Sequence, residues 1–149
     1  MYTDTITLFN RYKSSAGDIW YPSVLHNVNL NMDRASIATK FGAESKNNAI
    51  LNIKYNNVDG KKQIEDKTWL PQKEWKQQEE TLLGSSLTFA NGQQFDFFFV
   101  GEYESKEPIV DGDFKDGFYN HMNSKYDFVF AIVESSFYTA IPHFEIIAK

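Results

Sequence analysis

Two aromatic runs limit the folds open to this chain: residues 95–100 read FDFFFV, and residues 126–133 read YDFVFAIV. Both runs are rich in aromatic and β-branched residues, which favour strands, and neither keeps a clean polar face. A strand that is apolar on both faces has to be covered on both faces. We therefore expect the two runs to form the buried centre of a sheet or barrel, with the rest of the chain packed around them.

Length and composition set further limits. The 149 residues predict one domain spanning residues 1–149, and a domain of this size buries roughly 70% of the surface of its unfolded chain. Cysteine is absent, which excludes a disulfide framework, a thiolate nucleophile and a Cys-ligated zinc. The net charge of −5 argues against a protein that grips nucleic acid over a broad basic surface. No apolar run approaches the ~18 residues of a membrane span, so we expect a soluble domain.

Alternation of apolar and polar residues predicts several more strands. They lie at residues 5–9, 20–30, 34–41, 49–55, 87–89 and 141–147. The first two are expected to form an antiparallel hairpin around a polar loop at 10–18. Residues 56–66 contain the turn signal Asp59-Gly60 and predict an exposed β-arm. Another loop is expected at 135–140, before the last strand.

Two short helices are predicted, near residues 71–82 and 113–122. Pro71 suits the first helical position because its missing N–H costs nothing there, and the helix dipole favours Glu74 in the first turn. Asp113 is expected to cap the second helix. The predicted fold class is mainly β: a small antiparallel barrel or sandwich of about seven or eight strands, with these helices and long loops.

Residues 111–117, which read DGDFKDG, share part of the pattern of a calcium-binding loop. An EF-hand needs oxygen ligands at positions 1, 3 and 5, glycine at position 6 and glutamate at position 12. Counted from Asp111, the last three of these positions hold Lys115, Asp116 and Met122. The segment is therefore interpreted as a structural loop that leads into a helix.

No catalytic motif is apparent, so we expect neither an enzyme nor a cofactor or metal site. His26, His121 and His143 lack the spacing of paired metal ligands, and each is expected to be a half-buried, hydrogen-bonded residue. The sequence has no nucleophile elbow of the Gly-x-Ser-x-Gly type and no glycine-rich phosphate loop. A pair of catalytic carboxylates stays open as an alternative, because such residues need not be close in sequence.

Several aromatic and basic residues are candidates for a partner interface. They are Lys61, Lys62, Trp69, Trp75, Phe137 and Tyr138. Large apolar side chains in loops and on sparsely apolar helices often anchor partner proteins. The alternative is that the aromatic residues close the ends of the barrel and that the two lysines form a solvated turn.

Four short islands carry a resemblance to a known family. They are residues 5–12 (TITLFNRY), 20–28 (WYPSVLHNV), 70–75 (LPQKEW) and 141–149 (IPHFEIIAK). With them the chain resembles the small neck proteins of long-tailed bacteriophages that infect Gram-positive hosts, described as minor capsid, head-closure or stopper proteins. It departs from their pattern at residues 87–89, where LTF stands in place of a Trp-Thr-Leu start. After Gly92 it lacks their Gly-Asp pair, and residues 102–124 have no counterpart.

The resemblance implies a small β-barrel with one helix and long loops, working as a subunit of a ring of roughly six or twelve copies. Such a ring would lie in the virion neck after assembly in the host cytoplasm, between the portal or adaptor and the tail-terminator protein. It would close the DNA-filled head and pass DNA without sequence-specific binding. The partners implied are other copies of the chain and these neck proteins.

Two other classes of function stay open. One is a phage-encoded inhibitor that binds a host defence protein by mimicking DNA, although 15 Lys and Arg against 20 Asp and Glu give a mixed charge. The other is a small ligand-binding β-barrel, or a small enzyme, that uses its aromatic residues as a platform for sugars. The ring subunit predicts self-assembly, whereas the inhibitor predicts a monomer or dimer with one tight partner.

Overall fold

The computed structural model describes residues 2–32 and 49–149, so the strand predicted at 34–41 lies outside the described residues. The strands in these ranges are β1 (Asp4–Ser14), β2 (Gly17–Met32), β3 (Ala49–Lys54), β4 (Asn56–Val58), β5 (Lys61–Ile64), β6 (Lys67–Trp69), β7 (Ser86–Leu87), β8 (Phe97–Val100), β9 (Ile109–Val110), β10 (Val129–Tyr138) and β11 (His143–Ala148). The helices are α1 (Gln72–Lys76), α2 (Glu80–Leu83) and α3 (Phe118–Lys125), with 3-10 turns at Gly92–Gln94 and Asp111–Asp113. None of these helices is long and apolar enough to cross a membrane.

Six strands form a closed antiparallel barrel in the order β1-β8-β10-β11-β3-β2, and pairing of β2 with β1 closes it. The predicted class, a mainly β fold built on a small antiparallel barrel, is confirmed. The predicted hairpin of the first two strands is present, but the prediction of a polar loop at 10–18 is wrong. The ladder continues to the pair Ser14 and Gly17, and the chain turns in two residues with Gly17 at φ +117°.

The interior of the barrel is filled from every one of its strands. Leu8 of β1, Leu25 of β2, Leu51 of β3, Phe98 of β8, Phe130 of β10 and Phe144 of β11 are all buried in this core. Phe98 lies opposite both Leu8 and Phe130 in the ladder, and its ring is 5.6 Å from that of Phe130. Directly opposed residues share a face of the sheet, so this register places aromatic side chains together inside.

A second core lies outside the barrel wall. Phe97 and Phe99 alternate with Phe98 along β8 and point outward, where they pack with Phe9, Trp20, Ile109, Phe118, Met122 and Val129. The cover over this face comes from β9, α3 and the chain around them. The prediction of burial on both faces is therefore confirmed for β8 and for the start of β10 at Val129 and Phe130, whereas Phe128 is 39% exposed and β10 becomes exposed toward its end. The segment 102–124, which has no counterpart in the resembling neck proteins, forms much of this outer layer.

The predicted helix at 71–82 is divided into α1 and α2, because Glu79 between them is extended, with φ −65° and ψ 146°. Each short helix buries one side chain, Trp75 or Leu83, against Tyr21 of β2. Leu82, expected to share a face with Trp75, is instead half exposed, because the break shifts the helical phase.

The predicted second helix begins at Phe118 rather than at Asp113. Asp111, not Asp113, satisfies its first turn: the Oδ1 atom of Asp111 accepts the Phe118 N–H at 2.9 Å and the Trp20 Nε1–H at 2.8 Å. Gly117 precedes the helix at φ +87°, a conformation that favours glycine.

The prediction of a loop at 135–140 is also wrong, since β10 continues to Tyr138 by pairing with His143 of β11.

A buried carboxylate joins three segments at the start of β8. Asp96 accepts hydrogen bonds from Asn10 Nδ2, the Arg11 N–H and the Ala90 N–H, each at 2.8 Å. Burial raises the pKa of Asp96 to about 7, and the three donors hold it below the value that burial alone would give.

The Asp111 bridge gives a test of the outer layer. We expect Asp111→Ala to lower the free energy of unfolding by about 2–4 kcal/mol, because it leaves the Trp20 indole and the Phe118 amide without an acceptor. Urea unfolding measures the change. Asp113→Ala, at a neighbouring exposed carboxylate, serves as the control and should stay within about 0.5 kcal/mol of the native chain. Equal effects of the two substitutions would contradict the bridge.

Asp96 predicts a dependence of stability on pH. The folded chain keeps the Asp96 proton up to pH about 7, whereas the ordinary pKa is 3.8, so the folded state binds more protons between these values. The contribution of Asp96 to stability therefore falls as the pH rises from about 4 to about 7, by an amount on the order of 4 kcal/mol. We expect Asp96→Asn to be less stable than the native chain at low pH and to lose this part of the slope. An unchanged slope in urea titrations at several pH values would contradict the assignment.

Candidate partner interface

Exposed apolar side chains gather at one end of the barrel, around the turn between β10 and β11. Phe137 is 47% exposed, Tyr138 45% and Ile141 75%. We call this region the aromatic end and define it by Trp69, Phe137, Tyr138 and Ile141 together with Lys62 and His143. Scattered apolar side chains on a surface are ordinary, but a contiguous group of large ones is typical of an interaction site.

The mouth of the barrel is closed by aromatic rings that grade from buried to exposed. Phe144 is buried in the barrel core, and the ring of Trp69 lies 5.1 Å from it. Phe137 lies opposite Phe144 in the ladder and 5.9 Å from Trp69. The Lys62 ammonium sits 4.3 Å from the Phe137 ring and 5.8 Å from the Trp69 ring, a cation–π arrangement. Lys62, Trp69 and Phe137, all sequence candidates, therefore form one cluster.

Beside this mouth, the outer wall of the barrel carries a row of aromatic and basic side chains. Tyr138 stacks on His143 with ring centroids 4.9 Å apart, and His143 lies opposite Lys54 of β3 in the ladder. The Tyr55 hydroxyl donates to the backbone oxygen of Tyr138 at 2.8 Å, which fixes the end of β10. This bond uses the backbone of Tyr138, and the Tyr138 ring stays on the outer wall beside His143.

The predicted β-arm is present as the β4–β5 hairpin, with Asp59 and Gly60 in the turn at φ +52° and +78°. It is not wholly exposed as predicted, because Ile64 at the end of β5 is buried in the barrel core. The hairpin belongs to a second sheet in the order β4-β5-β6-β7, which covers the mouth of the barrel. Lys61 is exposed on the arm, and Val58 on β4 is 50% exposed. Within the described ranges β4 is the terminal strand of this sheet, so its outer backbone groups can pair with another chain.

Trp75 is not part of any surface. It is fully buried and packs edge-to-face on Tyr21, with ring centroids 6.0 Å apart. Its assignment as a partner anchor is therefore wrong. The physical reason is that α1 has to bury one large side chain to stay on the β1–β2 hairpin, and Trp75 is that side chain.

A cleft of about 360 Å³ lies beside the second sheet and contains a partly buried lysine. Lys67 Nζ donates to Ser23 Oγ at 2.7 Å and to the Pro22 carbonyl at 3.3 Å. Burial lowers the pKa of Lys67, and the nearby Lys106 ammonium lowers it further. These bonds use the lysine to hold β6 against β2, so the observed role is structural.

The histidines and the acidic loop also have structural partners. His26 Nδ1 is 2.9 Å from Glu65 Oε1, and His143 Nδ1 is 2.6 Å from the Ile141 carbonyl. Asp111 is occupied by the two donors described above. In residues 2–32 and 49–149, no three His, Asp or Glu side chains gather closely enough to hold a metal ion.

Comparison with known proteins gives a family. A family model described as "Family of unknown function (DUF6751)" matches residues 1–149. The chain belongs to this family. No curated protein and no solved structure matches the chain.

Sequence reasoning missed part of the aromatic end of this DUF6751 member. Ile141 was assigned to the last strand, but β11 begins at His143 and leaves Ile141 in the turn. Tyr55 was expected on one side of a regular strand, with no sign that its hydroxyl would bond Tyr138 across 83 residues of sequence. The Ile-Pro pair at 141–142 was the available signal, because proline favours a turn or an edge over a paired strand position.

The exposed positions of Tyr138 and Ile141 predict that the fold does not need these two side chains. We expect Tyr138→Ser and Ile141→Ser each to change the free energy of unfolding by less than about 1 kcal/mol, because Tyr138 is 45% and Ile141 75% exposed and neither belongs to a core cluster. Phe144→Ala, one strand position from this surface but buried, should cost about 3–5 kcal/mol. Urea unfolding separates the two cases. A loss above about 2 kcal/mol for Ile141→Ser would show that this residue belongs to the core.

Proposed function

We propose that this protein is a structural subunit of a bacteriophage head–tail connector, of the head-closure or stopper kind, and that it works by assembly rather than by catalysis. Copies of the chain would form a ring between the portal or adaptor and the tail-terminator protein. The observation that carries the proposal is the aromatic end, where three large apolar side chains and an arm with a free strand edge stand together on a rigid barrel.

The chemistry of the aromatic end suits a protein partner. Aromatic side chains with a neighbouring cation are over-represented among the residues that dominate binding energy at interfaces. Burial of the exposed parts of Phe137, Tyr138 and Ile141 in a complex would contribute a few kcal/mol in all, at roughly 25 cal/mol per Å² of apolar surface. The free edge of β4 adds backbone hydrogen bonds of the strand-addition type.

The barrel suits the mechanical role of a ring subunit. Its closed ladder leaves its six strands without free edges, so the wall is rigid and copies can meet only through loops, arms and added strands. The islands of resemblance to phage neck proteins include the start of β1, much of β2, the chain leading into α1, and β11. The −5 net charge favours passage of DNA without adhesion, because like charges repel.

The proposal is tested on particles of a phage that encodes this chain. We expect mass spectrometry to find the chain in purified virions and electron microscopy with a labelled chain to place it at the neck. A phage lacking the gene should accumulate DNA-filled heads without tails, and the native chain supplied in trans should restore infectious particles.

A surface variant links the phenotype to the aromatic end. Tyr138→Ser with Ile141→Ser should restore at least about tenfold fewer infectious particles than the native chain, because each 1.4 kcal/mol lost from the assembly contact weakens its affinity about tenfold. Lys115→Ala, at an exposed residue near α3, is the control and should restore the deletion fully. Absence of the chain from virions, or tight 1:1 capture of a host protein by the native chain, would overturn the proposal in favour of the inhibitor.

A further inference from the structure

We infer that the aromatic end is the docking site for the acidic segment 102–107 of a second copy of the chain, so that copies join head to tail. The inference rests on the proposed function, because it names the partner of the surface described above. Three observations support it: the placement of the two surfaces on one strand, their opposite charge, and the anchoring of the acidic segment.

The acidic segment begins beside one end of β10, and Phe137 of the aromatic end lies near the other end. The segment follows Val100, whose N–H donates to the Phe128 carbonyl at 3.0 Å, directly before the start of β10. Phe137 lies at the other end of the same strand. Val129 and Phe137 are eight positions apart, and at about 3.3 Å per residue they are about 26 Å apart along β10. The start of the segment, at Glu102, therefore lies far from Phe137 of the same chain, whereas its end lies nearer the second sheet, where Lys106 lines the same cleft as Lys67 of β6.

The two surfaces carry opposite charge. Glu102, Glu104 and Glu107 are exposed on the segment, with Lys106 as its single cation. At the aromatic end and its arm stand Lys54, Lys61 and Lys62 with His143, and Asp59 in the arm turn is a nearby acid. A carboxylate that meets Lys62 adds an ion pair to an ammonium already held over two rings.

The acidic segment is held in place before it binds. The ring of Tyr103 packs against Phe9 at 5.3 Å and Phe118 at 5.7 Å, and its N–H donates to Thr7 Oγ1 at 2.9 Å. Glu102 and Glu104 flank this anchor and are exposed. An anchored backbone loses little conformational freedom on binding, which favours association.

A contact between two different surfaces of identical chains is heterologous. Each copy offers one aromatic end and one acidic segment, so addition of copies proceeds until a ring closes or a filament forms. The inference thus makes the assembly directional: each copy joins one neighbour through its aromatic end and another through its acidic segment.

Charge reversal on either side tests the contact in solution. Variant one carries Lys61→Glu and Lys62→Glu, and variant two carries Glu102→Lys and Glu104→Lys. The control carries Asp113→Lys and Asp116→Lys, two exposed acids outside the segment. Analytical ultracentrifugation over a concentration series at low ionic strength reports association, and added salt should weaken it because both surfaces are exposed.

The native chain and the control should associate to the same extent, whereas each of the first two variants alone should remain monomeric. An equimolar mixture of variants one and two should associate again, because every junction between them pairs opposite charges. Engineered cysteines give a second reading, since the native chain has none. A Glu104→Cys chain mixed with a Tyr138→Cys chain should form a mixed disulfide under mild oxidation. A Lys115→Cys chain mixed with the Tyr138→Cys chain is the control and should form none.

Three results would overturn the inference. Variant two could associate as the native chain does, the mixture could stay monomeric, or the native chain could stay monomeric and give no mixed disulfide. In the first case the aromatic end would have another occupant, such as the β4 edge or a different neck protein. None of these results bears on the proposed function, which is judged by the presence of the chain at the neck of virions.

Discussion

The structure depends on a strand that is apolar on both faces. Phe98 faces the interior of the barrel while Phe97 and Phe99 face outward, so β8 cannot lie at a solvated wall. The inner face is satisfied by closure of the barrel, and the outer face by the layer that contains α3. The segment after β8 therefore has a physical role, since it covers surface that the barrel alone would leave in water. Asp111 holds that layer down through Trp20 and the first turn of α3.

Buried polar side chains in this fold form hydrogen bonds that connect separate elements, and each such connection is called a joint below. Asp96 joins β1, the chain before β8 and β8 itself through three N–H donors, and its raised pKa reflects the cost of placing a carboxyl group there. Lys67 joins the second sheet to β2 in a similar way. Each joint connects elements that are distant in sequence, which explains how short strands and very short helices keep fixed positions.

Local pattern predicted the elements of this fold better than their ends. The two aromatic runs, the β-arm with its Asp59-Gly60 turn and the barrel class follow from residue types and alternation, which are local properties. The extension of β10 to Tyr138 and the burial of Trp75 depend on which distant residues lie opposite, and such pairings have no local signal. For the same reason sequence reasoning brought Lys62, Trp69 and Phe137 forward as separate candidates, while their assembly into one cluster required the register of β10 against β11.

The side chains of the aromatic end and of the core beneath it range from fully buried to largely exposed. Phe144 is committed to the core, Trp69 covers it, Phe137 is half exposed above it and Ile141 is almost free. Because the rings of Phe144, Trp69 and Phe137 are in mutual contact, a partner bound to Phe137 would meet a ring that is already held by the buried ones. Side chains that are already held in place lose little conformational freedom on binding, which favours association. The opposite end of β10 packs against the outer core through Val129. In the proposed assembly, the angle between the two joining surfaces of each copy would determine whether the copies close into a ring.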